Sequence, residues 1–145
     1  MLVTKQIEID MGHRVPNHKS KCRNLHGHRY KIEVGVDDKV ISTKGSSDEG
    51  MVIDFGDLKD VMIDVIDKNY DHGLVLYLND FELTYFFSDL KSKGMKIIIV
   101  NFIPTAENLA KHWYELIKPI LEVKKIKIKY LKVWETPSST ATYEE

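Results

Sequence analysis

Hydrophobic and polar residues alternate along two segments near the start of the chain. In residues 2–11 the apolar side chains fall mainly on odd positions, and in residues 28–36 they fall mainly on even positions. A period of two residues predicts β-strands that each turn one face to a core and the other to water. The residues between them, 12–27, show no period and contain Pro16, Asn17 and Asn24, so we expect a loop there.

Two later segments carry apolar residues at the spacing of one helix face. Asp54 is placed to cap the first helix, whose apolar stripe consists of Leu58, Val61, Met62, Val65 and Ile66. Thr105 is placed to cap the second helix, whose stripe consists of Leu109, Trp113, Leu116, Ile117 and Ile120. Pro119 is expected to end or kink this second helix, because proline lacks the amide hydrogen that a helix interior uses.

Four more strands are predicted around these helices. They cover residues 51–53, 96–102, 124–135 and 140–143. In the third of these strands, one face is predicted to hold Ile126, Ile128, Tyr130 and Trp134. Residues 39–50 are polar and predict an exposed hairpin loop, whereas residues 69–93 predict a loop with some helix.

The order of these elements predicts an α+β fold. An antiparallel sheet with helices on one face buries the apolar sides of both and leaves the other sheet face polar. An open sheet also has edge strands to protect, and pairing between subunits is one remedy. We expect a single domain over residues 1–145, because no repeat or linker divides the chain.

Composition narrows the function only by exclusion. The chain has 145 residues, of which 43% are hydrophobic and 30% charged, with a formal net charge of −1. This near balance argues against a nucleic-acid binder that works through a broad basic field. The apolar run at residues 97–100 is far shorter than the ~20 residues of a membrane helix, and no signal peptide is recognisable. We therefore expect a cytoplasmic protein without a nucleic-acid or membrane partner.

Three histidines near the N-terminus are the strongest sign of chemistry. His26 and His28 are two residues apart on a predicted strand, so their rings point to the same side. His13 ends the preceding strand, and antiparallel pairing of the two strands would place it beside His28. Three neutral imidazoles form a zinc site with one open position, as in catalytic zinc sites. The alternative is that this spacing arises by chance and that these are surface or core-edge histidines.

Cys22, the only cysteine in the chain, lies shortly before His26. A single thiol cannot form an internal disulfide, and a free cysteine is most often a small buried hydrophobe. Beside a zinc site the thiolate form is favoured, and nearby cations add to this effect, namely Lys19, Lys21 and Arg23. In that setting Cys22 can act as a general base.

Two further positions are candidates for acid–base chemistry or binding. Asp71 and His72 form a neighbouring carboxylate and imidazole, although the favoured interpretation of an isolated Asp-His pair is a polar loop without a role. Glu135 lies near the end of a predicted strand. Its two oxygens can accept a pair of parallel N–H bonds from a guanidine-like edge of a heterocycle. The alternative for Glu135 is a strand-end glutamate in solvent.

Three other polar residues have ordinary explanations. Glu107, in the first turn of a helix, interacts favourably with the helix dipole. His112 borders the apolar stripe of the same helix, and we expect it to pack at the helix edge. His18 is interpreted as incidental.

Taken together, these motifs resemble the 6-pyruvoyl-tetrahydropterin synthase superfamily. The matching elements are Gly12-His13-Arg14, Cys22-x3-His26-Gly27-His28, Met51-Val52-Ile53-Asp54-Phe55, Asp71-His72, Pro104-Thr105-Ala106-Glu107-Asn108 and Val133-Trp134-Glu135-Thr136. They follow the family's order from residue 12 to residue 136. Each is modest alone, but the ordered set is highly specific.

The resemblance implies the tunnelling fold. Each subunit is then a four-stranded antiparallel sheet with two helices packed on one face. Three such sheets close into a barrel, and two trimers typically stack into a hexamer. The expected assembly is therefore a homo-oligomer, either a trimer or a hexamer.

The resemblance also implies residue roles. Zinc would be bound by His13, His26 and His28. Cys22 would abstract a proton, and Asp71 with His72 would form the second acid–base pair. The pterin ring would be anchored by Glu135 in a pocket that Thr105 and Glu107 help to line.

The implied substrate is 7,8-dihydroneopterin triphosphate. Three residues separate Cys22 from His26, as in the branch that forms 6-carboxy-tetrahydropterin for 7-deazaguanine (queuosine) biosynthesis. The pyruvoyl-forming branch usually has five. Two alternatives stay open, namely a 6-pyruvoyl-tetrahydropterin synthase and a non-catalytic zinc- and purine-binding module on the same fold. The segment 74–102 is longer than in the compact bacterial enzymes, which leaves the substrate scope open.

Overall fold

Alternating segments form strands here because each can pair along its length while one face is buried. The computed structural model describes all 145 residues and contains one six-stranded sheet. In chain order the strands are β1 (Leu2–His13), β2 (His26–Asp37), β3 (Gly73–Tyr77), β4 (Ile97–Val100), β5 (Ile128–Thr136) and β6 (Ser139–Glu144). Their order across the sheet is β4-β3-β1-β2-β5-β6. The last four are antiparallel neighbours, whereas β3 runs parallel to both β1 and β4.

The helices begin where the predicted caps stand. α1 (Phe55–Met62) starts after Asp54, whose carboxylate accepts a hydrogen bond from the Gly56 amide, and it continues through a π-helical segment (Ile63–Asp67) into α2 (Lys68–Tyr70). α3 (Phe81–Phe86) and α4 (Ser88–Ser92) are short. α5 (Ala106–Val123) starts after Thr105, whose hydroxyl accepts a hydrogen bond from the Asn108 amide. No helix combines the length and the apolarity that crossing a membrane requires.

The main core lies between one face of the sheet and the long helices α1 and α5. It is a continuous cluster of 25 buried residues. Its fully buried members include Ile32 and Val34 from β2, Leu58 from α1, and Leu109 and Trp113 from α5. Each large apolar side chain of this kind contributes about 1.5–3 kcal/mol when it is buried. The predicted α+β class and the placement of both helices on one sheet face are confirmed.

The strand count differs from the predicted four-stranded antiparallel sheet. Strands β1, β2, β5 and β6 form that antiparallel part, and β3 and β4 extend it in parallel at the free edge of β1. Buried parallel strands are continuous apolar runs without alternation, which is why the sequence pattern predicts only a loop with some helix at residues 73–77. The predicted strand at 51–53 is absent, because Val52 and Ile53 pack into the core from a bend.

The predicted face of β5 is wrong beyond its first residues. Leu131 and Val133 are the buried residues there, while the Tyr130 hydroxyl donates to Glu33 at 2.6 Å on the opposite face of the sheet. The cause is a β-bulge, because Gly35 pairs with Tyr130 whereas the next residue of β2 pairs with Ile128. One extra residue shifts the alternation by one position. The shift places Glu135 on the same side as the core residues of β5.

Of the two outcomes predicted for Pro119, an end of the helix is wrong, since α5 continues through it to Val123. Residues 39–50 do form an exposed loop that folds back on itself. Its ends are joined by hydrogen bonds from the Ile41 amide to the Met51 carbonyl and from the Gly50 amide to the Ile41 carbonyl, both 2.8 Å. Gly50 has φ +86°, a left-handed conformation that glycine adopts without a steric penalty.

Candidate functional site

Antiparallel pairing of β1 and β2 brings the three N-terminal histidines together. His13 lies directly opposite His26, two pairs further along than the predicted neighbour His28, which lies opposite Met11. One ring nitrogen from each of the three histidines lies within 4.8 Å of the others. Gly27 allows this close approach, since a Cβ there would stand 3.0 Å from the Met11 carbonyl oxygen.

Backbone carbonyls fix the orientation of two of these rings. His13 Nδ1 lies 2.7 Å from the Pro104 carbonyl oxygen, and His26 Nδ1 lies 2.8 Å from the Asn24 carbonyl oxygen. A carbonyl can only accept a hydrogen bond, so each Nδ1 carries the proton and each Nε2 keeps its lone pair. Metal-binding histidines in proteins are oriented in this way by their second nitrogen.

The surroundings of His13 and His28 also favour the neutral form of these two rings, which is the form that binds metals. His13 is only 1% exposed, and its burial lowers the pKa of the ring, with a further contribution from the neighbouring His26. Burial likewise lowers the pKa of His28. Neutral imidazole is the ligand form, and a divalent transition metal such as zinc suits three convergent nitrogens. The residues present therefore fit a metal ion.

Two oxygens stand next to the triad. Glu135 Oε1 lies 3.7 Å from His13 Nε2 and 3.9 Å from His28 Nε2. The Tyr30 hydroxyl lies 3.2 Å from His13 Nε2. Burial raises the pKa of Tyr30, and the nearby Glu135 carboxylate raises it further, so this hydroxyl stays protonated at neutral pH.

A cavity of about 210 Å³ extends from Glu135 away from the histidines. It is lined by four of the residues selected in the sequence, namely Cys22, Thr105, Glu107 and Glu135. Cys22 belongs to a single 3-10 turn (Lys21–Arg23) and its carbonyl accepts a hydrogen bond of 2.8 Å from the Val15 amide. The structure thus brings the thiol, the helix start and the strand-end carboxylate to one cavity beside the triad.

Asp71 and His72 lie at a different opening. They precede β3, and His72 lines a groove of about 500 Å³ together with His28. The His72 ring donates from Nδ1 to Asp71 Oδ2 at 2.7 Å, and Asp71 Oδ1 accepts from the Asp10 amide at 2.9 Å. Burial opposes ionisation of Asp71, but these two hydrogen bonds outweigh it and lower the pKa of the carboxyl.

The conformation of His72 aims its ring outwards. Its φ of +56° is left-handed, which is uncommon for a residue other than glycine, and its side chain is 77% exposed. Within one chain, His72 therefore shares a groove with His28, whereas Cys22 shares a cavity with Glu135.

The other histidines and the cations near Cys22 lie outside the triad. His112 packs at the helix edge as predicted, where the Tyr70 hydroxyl lies 2.8 Å from its Nε2. His18 was interpreted as incidental, yet it lines the cavity that contains Cys22. The cations at residues 19, 21 and 23 are exposed.

Sequence reasoning missed two contributors to the site. Tyr30 carried a usable signal, because it follows His26 and His28 on the same face of β2 at a spacing of two residues. Arg14 and Asp80 pair across a long stretch of chain, at 2.6 Å for both of their hydrogen bonds. No local pattern could have shown that contact.

The sequence matches a known protein family. The model of one protein family, described as 6-pyruvoyl tetrahydropterin synthase, matches residues 2–145. The chain belongs to the 6-pyruvoyl tetrahydropterin synthase family. The resemblance drawn from the sequence motifs is thereby confirmed.

Curated relatives within the 6-pyruvoyl tetrahydropterin synthase family carry a more specific name. A protein from Rickettsia bellii, named 6-carboxy-5,6,7,8-tetrahydropterin synthase, is 39% identical over 137 residues, which covers 93% of this chain and 94% of the relative. A protein of the same name from Haemophilus influenzae is 32% identical over 143 residues, which covers 99% and 98%.

Solved structures agree in fold. An uncharacterized protein from Wolinella succinogenes superposes with a TM-score of 0.82 at 23% identity and covers 100% of this chain and 98% of its own. The 6-pyruvoyl tetrahydropterin synthase of Caenorhabditis elegans superposes with a TM-score of 0.70 at 24% identity, covering 100% and 95%. At these identities the likeness establishes the fold, which is the one that the tunnelling-fold prediction named.

Proposed function

We propose that the protein is a zinc-dependent 6-carboxy-5,6,7,8-tetrahydropterin synthase. It would convert 7,8-dihydroneopterin triphosphate into 6-carboxy-tetrahydropterin, acetaldehyde and triphosphate for 7-deazaguanine (queuosine) biosynthesis. The observation that carries the proposal is the shared position of Glu135, which contacts the histidine triad on one side and lines the cavity of Cys22 on the other. The names of the curated relatives support the choice of reaction.

The pterin ring is proposed to occupy the cavity beside Cys22. A carboxylate such as that of Glu135 can accept two parallel hydrogen bonds from the amino and ring N–H groups of a pterin. Thr105 and Glu107 lie at the start of α5 and line the same cavity. Its volume of about 210 Å³ is below the roughly 300–1,000 Å³ of drug-sized sites, which suits a small bicyclic head with a side chain that leaves the cavity.

The substrate side chain would then extend from the cavity towards the triad. Zinc would be held by His13, His26 and His28. At His13 and His26 the Nδ1 proton is hydrogen-bonded to a backbone carbonyl, of Pro104 and of Asn24 respectively, so the Nε2 lone pair is free to bind the ion. When bound, zinc supplies a Lewis acid that polarises the side-chain hydroxyls of the substrate. The buried position of His13 excludes water from that side of the site.

Cys22 and the Asp71–His72 pair are proposed to move protons. The Cys22 thiol stands in the cavity wall, where it can remove a proton from the substrate side chain as a general base. His72 donates a hydrogen bond from Nδ1 to Asp71. Its Nε2 is therefore free to accept or return a proton in the groove that His72 shares with His28. A general base at the Cys22 cavity and a second acid–base pair at the groove that includes His28 suit a reaction with more than one proton transfer.

The protein is also proposed to act as a homo-oligomer, a trimer or a hexamer, as the resemblance implies. The sheet ends in two free edges, β4 and β6, and unpaired edges are sites where strands of other subunits can add.

The reaction can be tested by measuring its small products. Metal-reconstituted protein incubated with 7,8-dihydroneopterin triphosphate is expected to release acetaldehyde, detected by reduction with alcohol dehydrogenase and NADH, in equal amounts with triphosphate. Release of triphosphate without acetaldehyde would assign the pyruvoyl-forming reaction instead. Release of neither would favour a non-catalytic zinc- and purine-binding module.

A further inference from the structure

The turn between α2 and β3 that carries Asp71 and His72 has an unusual backbone. Asp71 has φ −60° and ψ 133°, and His72 follows with φ +56°. These three angles match a type II turn, whose second central position is normally glycine. A flip of the peptide group between the two residues would give a type I turn, in which the second residue has the negative φ that side chains prefer. The peptide group therefore needs restraints that hold it in the less favourable orientation.

That peptide group is hydrogen-bonded at both ends. Its N–H, which belongs to His72, donates to the Asp10 carbonyl at 2.7 Å. Its C=O, which belongs to Asp71, accepts from the Lys96 ammonium at 2.7 Å. A flip would turn both groups away from their partners, so each bond opposes it. The first partner is a backbone group of β1, whereas the second is a single side chain.

Lys96 is itself anchored by the sheet. It directly precedes β4, its carbonyl accepts from the Leu74 amide at 3.0 Å, and its side chain is half-buried. A hydrogen bond from a charged donor is roughly twice as strong as one between neutral groups. Burial opposes ionisation of Asp71, but the hydrogen bonds to its carboxylate and the positive charge of Lys96 lower the pKa of this carboxyl. Lys96 thus acts both on the orientation of His72 and on the charge of its partner.

We propose that Lys96 is a positioning residue for the Asp71–His72 pair. Its ammonium holds the peptide group between the two residues in the orientation that places the His72 ring in the groove shared with His28. Without that hydrogen bond the turn would relax towards the flipped form, and the ring would leave its place in the groove. The inference rests on the proposed function, since it takes His72 as an acid–base group of the reaction.

The test compares two lysines that each donate to a backbone carbonyl through a partly buried hydrogen bond. Lys96→Met removes the ammonium and keeps an unbranched side chain. Lys91→Met is the matched control, because Lys91 donates to the Ile97 carbonyl of β4 at 2.8 Å and has no hydrogen bond to the pair. Turnover is measured as acetaldehyde release. We expect kcat to fall by about tenfold or more in Lys96→Met and by less than about twofold in Lys91→Met, since a misplaced catalytic group loses rate steeply.

Binding and rescue separate positioning from a general loss of structure. The zinc content and the dissociation constant of 7,8-dihydropterin, measured by fluorescence, should stay unchanged in Lys96→Met. Lys96→Arg keeps a charged donor and should restore most of the turnover. If circular dichroism shows that Lys96→Met is unfolded, Lys96→Gln takes its place with the same expectations.

A double-mutant cycle shows whether Lys96 acts through His72. His72→Asn removes the imidazole, and asparagine adopts the left-handed conformation more readily than most residues. In that background no ring is left to position, so Lys96→Met should change the remaining kcat by less than about twofold. A general structural role would give the same loss in both backgrounds.

Each other outcome has a definite meaning. Full turnover in Lys96→Met or in His72→Asn overturns the positioning role, and so does an equal loss in Lys91→Met or in the His72→Asn background. In each of these cases turnover by the parent protein leaves the proposed reaction standing. No turnover in the parent protein, with zinc bound, overturns the proposed function together with this inference.

Discussion

Arg14 and Asp80 form a two-pronged ion pair that fixes the chain directly after His13. Arg14 Nε and Nη2 each donate to an Asp80 oxygen at 2.6 Å, and Asp80 is only 4% exposed. The hydrogen bonds to Asp80 raise the pKa of Arg14. Because Asp80 immediately precedes α3, the pair ties the segment between β3 and β4 to the end of the strand that carries His13.

Replacing Arg14 by alanine should destabilise the fold. The buried Asp80 carboxylate would lose its cation, and removing one partner of a buried pair costs about 3 kcal/mol or more. Urea unfolding of the metal-free protein measures this loss. The matched control is Arg29→Ala, which removes an exposed pair with Asp10 and should leave the free energy of unfolding nearly unchanged. Equal effects of the two changes would contradict the structural role of the Arg14 pair.

His28→Ala should lose most of the bound zinc. The variant removes one of three ring nitrogens that lie within 4.8 Å of one another, and two remaining ligands hold the ion far more weakly. Metal content after dialysis, measured by plasma mass spectrometry, checks this. His18→Ala is the control, since His18 lines the Cys22 cavity but is not part of the triad. Unchanged zinc in His28→Ala would remove His28 from the ligand set.

Cys22→Ala should keep the zinc and the oligomer but lose turnover. Removing a general base typically costs 10²- to 10⁴-fold in rate, so kcat is expected to fall by about that much. The zinc content and the oligomeric state serve as internal controls, because Cys22 is assigned to neither task. Full activity in this variant would exclude Cys22 from the mechanism.

Glu135→Gln should weaken pterin binding. A charged hydrogen-bond partner becomes neutral, and hydrogen bonds to charged groups contribute about 1.5–3 kcal/mol, which corresponds to roughly a 10- to 150-fold higher dissociation constant. Glu33→Gln is the control, since Glu33 accepts from Gln6 and Tyr130 on the opposite sheet face. An unchanged dissociation constant in Glu135→Gln counts against the anchoring role.

Asp71→Asn should lower turnover without changing pterin affinity. The amide oxygen can still accept from the Asp10 amide, but the anion that polarises His72 is lost. We expect kcat to fall by about 10²-fold, and a combined measurement of kcat and of the pterin dissociation constant separates the two effects. A change confined to pterin binding would place Asp71 in the binding pocket rather than in proton transfer.

The parts of the site that follow a local pattern were predictable from the sequence. The spacing of His26 and His28 on an alternating strand places both rings on one face, and strand pairing adds His13. The caps at Asp54 and Thr105 were also predictable, because each side chain bonds an amide within the next few residues. The grouping of Cys22 with Glu135 was drawn from the family resemblance, since no local pattern relates residues so far apart.

Features that depend on distant contacts were not predictable in this way. The β-bulge opposite Gly35 shifts the alternation of β5, and only the pairing of β5 with β2 reveals it. Strand β3 is a short apolar run, which local periodicity cannot distinguish from other buried segments, and although β4 lies within the predicted strand 96–102, its parallel pairing with β3 was not predictable. The predicted face of Trp134 is wrong for the same reason as that of Tyr130. The centroid of the Trp134 ring lies 4.1 Å from the Lys31 ammonium on the polar side of the sheet.

The most direct test of the proposed reaction is the mass of the pterin that the zinc-loaded protein makes from 7,8-dihydroneopterin triphosphate. We expect 6-carboxy-5,6,7,8-tetrahydropterin from the parent protein and unreacted substrate from Cys22→Ala. A product with the mass of 6-pyruvoyl-tetrahydropterin would contradict the assigned reaction, and unreacted substrate in the parent protein, with zinc bound and the fold intact, would contradict the assignment of an enzyme.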